Sequence, residues 1–172
     1  MTNVKDPRRQ IRGALNRSTG AAFEDLITAA CERYKILGIA NVEKTPEPFK
    51  PVSGIHQKGR LWVFDCVATK KAQPDFKGTL SGGRAVCFEA KTSDNDRIEQ
   101  SVVTDEQDKE LDFHNRLGAL VFVCVALKMQ KFYKIPWDIW KGMKGLYGRK
   151  YMTQEDLDEY KLDFKNGVLQ II

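Results

Sequence analysis

Gln73-Pro-Asp-Phe-Lys-Gly-Thr-Leu-Ser-Gly-Gly-Arg-Ala-Val-Cys-Phe-Glu-Ala-Lys91 is the stretch on which the fold turns. It reads as a β-hairpin: a strand ending near Phe76, a turn rich in Gly and Ser (Gly78, Ser81, Gly82, Gly83), and a strand from Arg84 to Lys91. Side chains alternate along a strand. Ala85, Cys87, Glu89 and Lys91 therefore share one face, and Val86, Phe88 and Ala90 the other. Pairing across the Gly-rich turn brings Asp75 near Glu89, so two carboxylates and one ammonium are expected to meet at the open end of the sheet.

Two carboxylates held close repel each other, and burial makes ionisation harder still, so a cation between them relieves the arrangement. Mg²⁺ suits it, because that ion takes one or two protein carboxylates and fills its remaining positions with water and substrate phosphate oxygens. Mn²⁺ is the alternative ion. A metal there polarises a phosphate and acidifies a bound water, while Lys91 orients the water or offsets charge growing on the phosphate oxygens. The chemistry implied is phosphodiester hydrolysis.

Working outward, 172 residues make one domain with room for a sizeable core, and 42% apolar with 30% charged residues suits a soluble globular chain. No stretch is long and apolar enough to span a membrane, and the N-terminus has no apolar leader core, so a cytoplasmic protein is expected. Cys31, Cys66, Cys87 and Cys124 have no paired spacing and read as reduced thiols. His56 and His114 are isolated, which gives a histidine-based site little support. The formal net charge is +5, and its distribution is uneven. Residues 1–17 form a basic arm with Lys5, Arg8, Arg9, Arg12 and Arg17 against Asp6, whereas Asp94 to Asp112 is acidic. A basic arm fits a polyanion or is a solvated tail. Pro7 and Gly13 argue against a continuous helix in it.

Ser18 or Thr19 is placed to cap a helix over Ala21 to Leu37, where Ala22, Phe23, Leu26, Ile27, Ala30, Tyr34 and Leu37 recur at helical spacing and Gly38 closes the element. Glu24 flanks that stripe as a boundary carboxylate. A strand follows over Ile39 to Thr45. Lys50 to Lys71 is a long basic insertion containing His56, Lys58, Arg60, Lys70 and Lys71, with Leu61 to Ala68 reading as a strand apolar on both faces. After the hairpin, Thr92 to Asp96 is loop-like. Thr104-Asp-Glu-Gln107 is a capping box opening a helix to about Arg116, with Gly118 closing it. Ala119 to Leu127 reads as a central strand buried on both sides, and Lys131 to Ile135 as its neighbour. Trp137 to Tyr147 is a short helix whose aromatics belong to the core or form a nucleic-acid platform. Lys141, Lys144, Arg149 and Lys150 touch phosphate or are solvated. Thr153 caps a helix over Gln154 to Tyr160, and Asn166-Gly167 is a turn before a strand over Val168 to Ile172.

Pro74-Asp75 followed after thirteen residues by Glu89-Ala90-Lys91 resembles the PD-(D/E)XK signature of restriction-endonuclease-like nucleases. With Asn16-Arg17, Phe23-Glu24, Asp75-Phe-Lys-Gly78, Phe88-Glu-Ala-Lys91 and Gln107, the order and spacing are similar to the RecU family of Holliday junction resolvases from about Asn16 to about Trp137. The resemblance implies a mixed central β-sheet flanked by helices, an α/β restriction-endonuclease-like core with a protruding stalk hairpin over residues 50–73, all within a single nuclease domain. It implies a metal-dependent endonuclease making paired, symmetric cuts in four-way junctions during recombination and repair, working as a homodimer without a small-molecule cofactor. Asp75, Glu89, Lys91 and Gln107 would be catalytic, and Asp75, Glu89 and Glu24 would hold the metal. Arg17, Arg12, Lys58, Arg60, Lys70 and Lys71 are the expected DNA contacts. Pro74 stands where many members have Thr, which removes any role for that hydroxyl, and the compact form suits a phage-encoded member. A nuclease acting on other DNA, or a non-cleaving junction binder, is the alternative.

Overall fold

The computed structural model describes residues 7–46, 49–52, 54–68 and 73–172, without the side chains of 7–15, 51 and 68. In chain order the elements are α1 (Pro7–Ile36), β1 (Ala40–Lys44), β2 (Phe49–Pro51), β3 (His56–Lys58), β4 (Leu61–Val63), β5 (Cys66–Ala68), β6 (Phe76–Leu80), β7 (Ala85–Ser93) and β8 (Arg97–Glu99). They continue with α2 (Asp105–Arg116), β9 (Leu120–Leu127), β10 (Lys131–Pro136), α3 (Trp137–Tyr147), β11 (Tyr151–Thr153), α4 (Gln154–Leu157), β12 (Phe164–Lys165) and β13 (Val168–Leu169).

The central sheet runs β1-β6-β7-β9-β10. Only β7 and β9 are parallel; the other neighbours are antiparallel. Period-two burial divides its side chains between two cores. Val86, Phe88, Phe122 and Cys124 pack with Phe23, Ile27, Ala30 and Tyr34 of α1, while Cys87, Val121, Val123 and Val125 pack with Leu111 of α2 and Trp137, Trp140 and Met143 of α3. The expected mixed sheet between helical layers is thus present. The α3 aromatics are core, and β9 is buried on both faces as its continuous apolar run requires.

Phe76, Phe88 and Phe122 stack across three strands with ring centroids 5.1 and 4.5 Å apart. Stacked aromatic pairs add roughly 0.5–1.5 kcal/mol each beyond their burial. This ladder pins the register Phe76↔Phe88↔Phe122. A slip by one residue would turn Glu89 into the α1 core, so the aromatic stack fixes the face on which the acidic residues emerge.

Several local expectations are corrected. Residues 7–17 are not an irregular arm: α1 is continuous from Pro7, so neither Ser18 nor Thr19 caps a helix start. Proline is tolerated in the first turn, where its missing N–H has no partner to lose, and Gly13 costs a long helix only about 1 kcal/mol. Residues 1–6 lie outside the described residues. Ala22 and Leu37 are exposed, whereas Gly38 closes the helix at φ 67° as expected. The first strand of the hairpin begins at Phe76 instead of ending there, and Gly78 lies inside it, opposite both Val42 and Val86. A Cβ on Gly78 would fall 2.0 Å from the Asn41 carbonyl oxygen, so only glycine lets β1 approach β6 here. β7 continues through Thr92 and Ser93, and the last strand stops at Leu169. The C-terminus is instead held by the buried Tyr34 hydroxyl, which donates to the Leu169 carbonyl and accepts from the Ile171 N–H at 2.7 Å.

The stretch Leu61 to Ala68 is not one strand. It divides into β4 and β5, which pair with β3 and β2 to make a long two-part hairpin. Its large apolar residues stay in water: Leu61 and Trp62 are each 69% exposed, and Phe49, Val52, Ile55, Phe64 and Val67 are also exposed. The four cysteines are free, and Cys66 is the exposed one. Among the described residues no helix is long and apolar enough to cross a membrane.

Candidate active site

The open end of the sheet is where the acidic residues meet. Carrying the Phe76↔Phe88 register one step further sets Asp75 beside Glu89. Asp75 Oδ2 accepts the Ala90 N–H at 3.0 Å, which fixes the carboxylate against β7. Lys91, two residues along the same face, places its Nζ 2.7 Å from Glu89 Oε2 and 3.7 Å from Asp75 Oδ2. The two carboxylates and the ammonium therefore converge, as the alternation of β7 requires.

Gln107 completes the pocket from α2. Its side-chain oxygen accepts the Thr104 N–H at 3.1 Å, closing the capping box, while its Nε2 donates to Glu89 Oε2 at 2.6 Å. One amide ends a helix and holds the carboxylate. Closing the cap leaves Nε2 available to Glu89, because the two ends of the amide face different partners.

Glu89 is fully buried, the one charged residue so placed among the described residues. Burial pushes its carboxyl up to about 8; Lys91 draws it down, and the neighbouring Asp75 pushes it up again. Both donors bind Oε2, and Oε1 is buried without a hydrogen-bond partner. An unpartnered buried carboxylate oxygen is costly, and a hard cation satisfies it. Among the described residues no three His, Cys, Asp or Glu side chains are gathered closely enough to enclose an ion. The residues present therefore fit an ion held by two carboxylates with the rest of its shell left to water and substrate, which is the habit of Mg²⁺.

Glu24 does not join that pair. α1 packs on the opposite face of the sheet from Glu89, and Glu24 Oε2 is bound at 2.6 Å by Lys44 Nζ, whose pKa is raised chiefly by that contact. Glu24 and Asp75 nonetheless line one cleft of about 420 Å³ with Lys44, Thr45, Pro46 and Phe49. Lys44 and Thr45 carried no signal in the sequence, since they reach the site only through the long-range pairing of β1 with β6. The Thr45 N–H donates to the Asp75 carbonyl at 2.8 Å, and its Oγ1 is buried without a partner at the cleft wall.

The basic residues expected to meet DNA are dispersed. Arg17 is exposed on α1, two turns before Glu24, next to a small polar cleft lined by Asn16, Thr19 and Thr92 to Asn95. Lys58 and Arg60 are exposed where β3 turns into β4, at the far end of the long hairpin. The Arg12 side chain, Lys70 and Lys71 lie outside the described residues.

The family model described as RecU, Recombination protein U, matches residues 18–172. The chain belongs to the RecU family. The match runs past Trp137 to the last residue and so takes in α3 and the C-terminal hairpin as well as the acidic pocket of this RecU protein. Among solved structures the chain is similar to Archaeoglobus fulgidus Hjc, a Holliday junction resolvase from an archaeal hyperthermophile, at 15% identity and a TM-score of 0.41, over 70% of this chain and 75% of that one. No curated protein matches the sequence significantly.

Proposed function

We propose that this RecU protein is a divalent-metal-dependent endonuclease that resolves four-way DNA junctions by paired phosphodiester cuts. The observation that carries the proposal is the buried Glu89, with its unpartnered oxygen, held by Lys91 beside Asp75, which lines an open cleft. A binding module gains nothing from carboxylates that face phosphate, whereas a hydrolase needs them to hold a cation.

Asp75 and Glu89 would hold Mg²⁺, or Mn²⁺, and when bound the ion supplies Lewis-acid polarisation of the scissile phosphate. Gln107 fixes the Glu89 carboxylate by its 2.6 Å bond to Oε2. Lys91, which contacts both carboxylates, would orient the attacking water and offset charge growing on the phosphate oxygens. Glu24, paired with Lys44, lines the same cleft as Asp75 and would hold the ion through water. Resolution takes two symmetric cuts, and each chain carries one such pocket among its described residues, so the working unit is a two-fold homodimer. Arg17 contacts the backbone near the cut. The long hairpin, with Lys58 and Arg60 at its end, enters the branch point. Acting on cellular DNA, the protein works in the cytoplasm.

The test is cleavage of a labelled four-way junction and of a linear duplex, with Mg²⁺ and with EDTA, by the wild-type protein and by Asp75→Asn. Metal-dependent paired nicks confined to the junction and lost in the variant are expected. A mobility shift without nicks would establish a binder, and equal cutting of the duplex would establish a nuclease of other specificity.

A further inference from the structure

A second cleft, of about 390 Å³, is lined in part by the first turn of α2. Its walls carry Lys141 and Lys144 of α3 and Lys150 of the following turn, together with Gln100 and with Asp105 and Asp108 of the first turn of α2. Lys141 Nζ is paired with Asp108 at 2.7 Å. Lys144 and Lys150 are exposed and have no carboxylate partner among the described residues. The three lysines outnumber the two aspartates of the lining, which leaves the hollow with an excess of positive charge that attracts an anion.

The backbone beneath these lysines is held by buried packing and hydrogen bonds. Trp137, Trp140 and Met143 bury the inner face of α3, which leaves Lys141 and Lys144 outward. Gln100 Nε2 donates to the Trp140 carbonyl at 2.6 Å, and the Gln100 N–H donates to the Lys150 carbonyl at 2.9 Å, so one residue clamps both the helix and the turn that follows it. Gly148, at φ 68°, makes that turn possible. Only the flexible lysine stems then remain to be ordered by a ligand, which lowers the entropic cost of binding.

The hollow and the acidic pocket share one turn of α2. Gln107, which bonds Glu89, sits in the same turn of α2 as Asp108, which holds Lys141. One helical turn is about 5.4 Å, and phosphates on one strand of B-DNA recur every ~3.4 Å along the axis. A duplex arm that leaves the acidic pocket along the first turn of α2 would bring a backbone phosphate to this hollow.

We infer that Lys144 and Lys150, with Lys141 behind them, form a backbone-phosphate contact for the duplex arm leaving the acidic pocket across α2. The inference rests on the nuclease reading above. It assigns these lysines to positioning: they set affinity and salt dependence and leave the chemical step alone.

The experiment measures junction binding by the full-length Asp75→Asn protein, which holds DNA without cutting it, by fluorescence anisotropy between 50 and 200 mM salt. It is repeated with Lys144→Ala and Lys150→Ala added together. Each lost phosphate contact lowers the slope of log K against log salt by about 0.9, so the double substitution is expected to lower it by about 1–2 and to weaken binding roughly tenfold at the lowest salt. Single-turnover cleavage by the same double variant with Asp75 intact, at saturating protein, is expected to stay within about twofold of wild type. An unchanged slope and affinity, with parental binding intact, would overturn the lysine surface alone. A cleavage rate that falls tenfold or more at saturation would overturn the positioning role. A parental protein that binds neither junction nor duplex would overturn the nuclease reading together with this surface.

Discussion

Replacing Glu89 by Gln should stabilise the metal-free protein, and by an amount that depends on pH. Glu89 is fully buried, and its carboxyl is raised from 4.5 to about 8, first by burial and then by Asp75, against the pull of Lys91. One pKa unit corresponds to about 1.4 kcal/mol. A raised carboxyl keeps its proton in the folded state at pH values where the unfolded chain has released it. Stability is therefore full below about 4.5, declines as pH rises, and levels off above about 8. The loss is on the order of 3 kcal/mol at pH 7 and 5 kcal/mol above pH 8. Gln has the same shape, can accept from Lys91 and Gln107, and cannot ionise. Urea unfolding in EDTA at pH 5, 6, 7, 8 and 9 should give curves for wild type and Glu89→Gln that coincide near pH 5 and diverge by several kcal/mol at pH 9, the variant being the more stable. Saturating Mg²⁺ should return stability to the wild type alone. Parallel curves across the whole pH range would refute the reasoning, because Glu89 would then be ionised at no cost and would have no need of a cation.

Three further outcomes are expected. Lys91→Met should lower junction cleavage by a factor on the order of 10²–10³, the usual loss for one electrostatic contact to the reacting group, while stability at pH 7 in EDTA falls by less than about 2 kcal/mol because Glu89 simply keeps its proton; paired kinetics and unfolding curves check this. Gln107→Glu preserves the capping box but sets a carboxylate against Glu89 in place of an amide donor, so unfolding should be little changed at pH 5 and easier by about 1–3 kcal/mol at pH 8. Gly78→Ala should cost about 3 kcal/mol or more, seen as a lowered thermal midpoint, since the added methyl would lie 2.0 Å from the Asn41 oxygen and force β1 off the sheet.

The acidic pocket was readable because its information is local. Alternation along one strand places Glu89 and Lys91 together, and a hairpin with a Gly-rich turn brings Asp75 alongside. The capping box at Thr104 and the doubly buried β9 are equally local signals. What could not be read depends on contacts distant in sequence. Lys44 and Thr45 enter the cleft through β1–β6 pairing, and that pairing also makes Gly78 a strand residue when its composition suggested a turn. Pro7 and Gly13 pointed to an irregular arm because each disfavours helix by itself, but a helix thirty residues long absorbs one glycine and starts comfortably on a proline. The apolar run Leu61 to Ala68 reads as one strand apolar on both faces, yet it divides into β4 and β5 of the two-part hairpin, where Leu61, Trp62, Phe64 and Val67 remain exposed.

Proton release on metal binding tests most directly whether Asp75 and Glu89 form a cation site. Mn²⁺ would be titrated into the weakly buffered wild-type protein at pH 7 while bound metal and pH are followed together. With a carboxyl at about 8, Glu89 holds its proton before binding and must give it up to ligate the ion, so close to one proton should leave per ion bound, and Glu89→Gln should release none. Binding of equal affinity in both proteins, or binding by the wild type with no change in pH, would contradict the site.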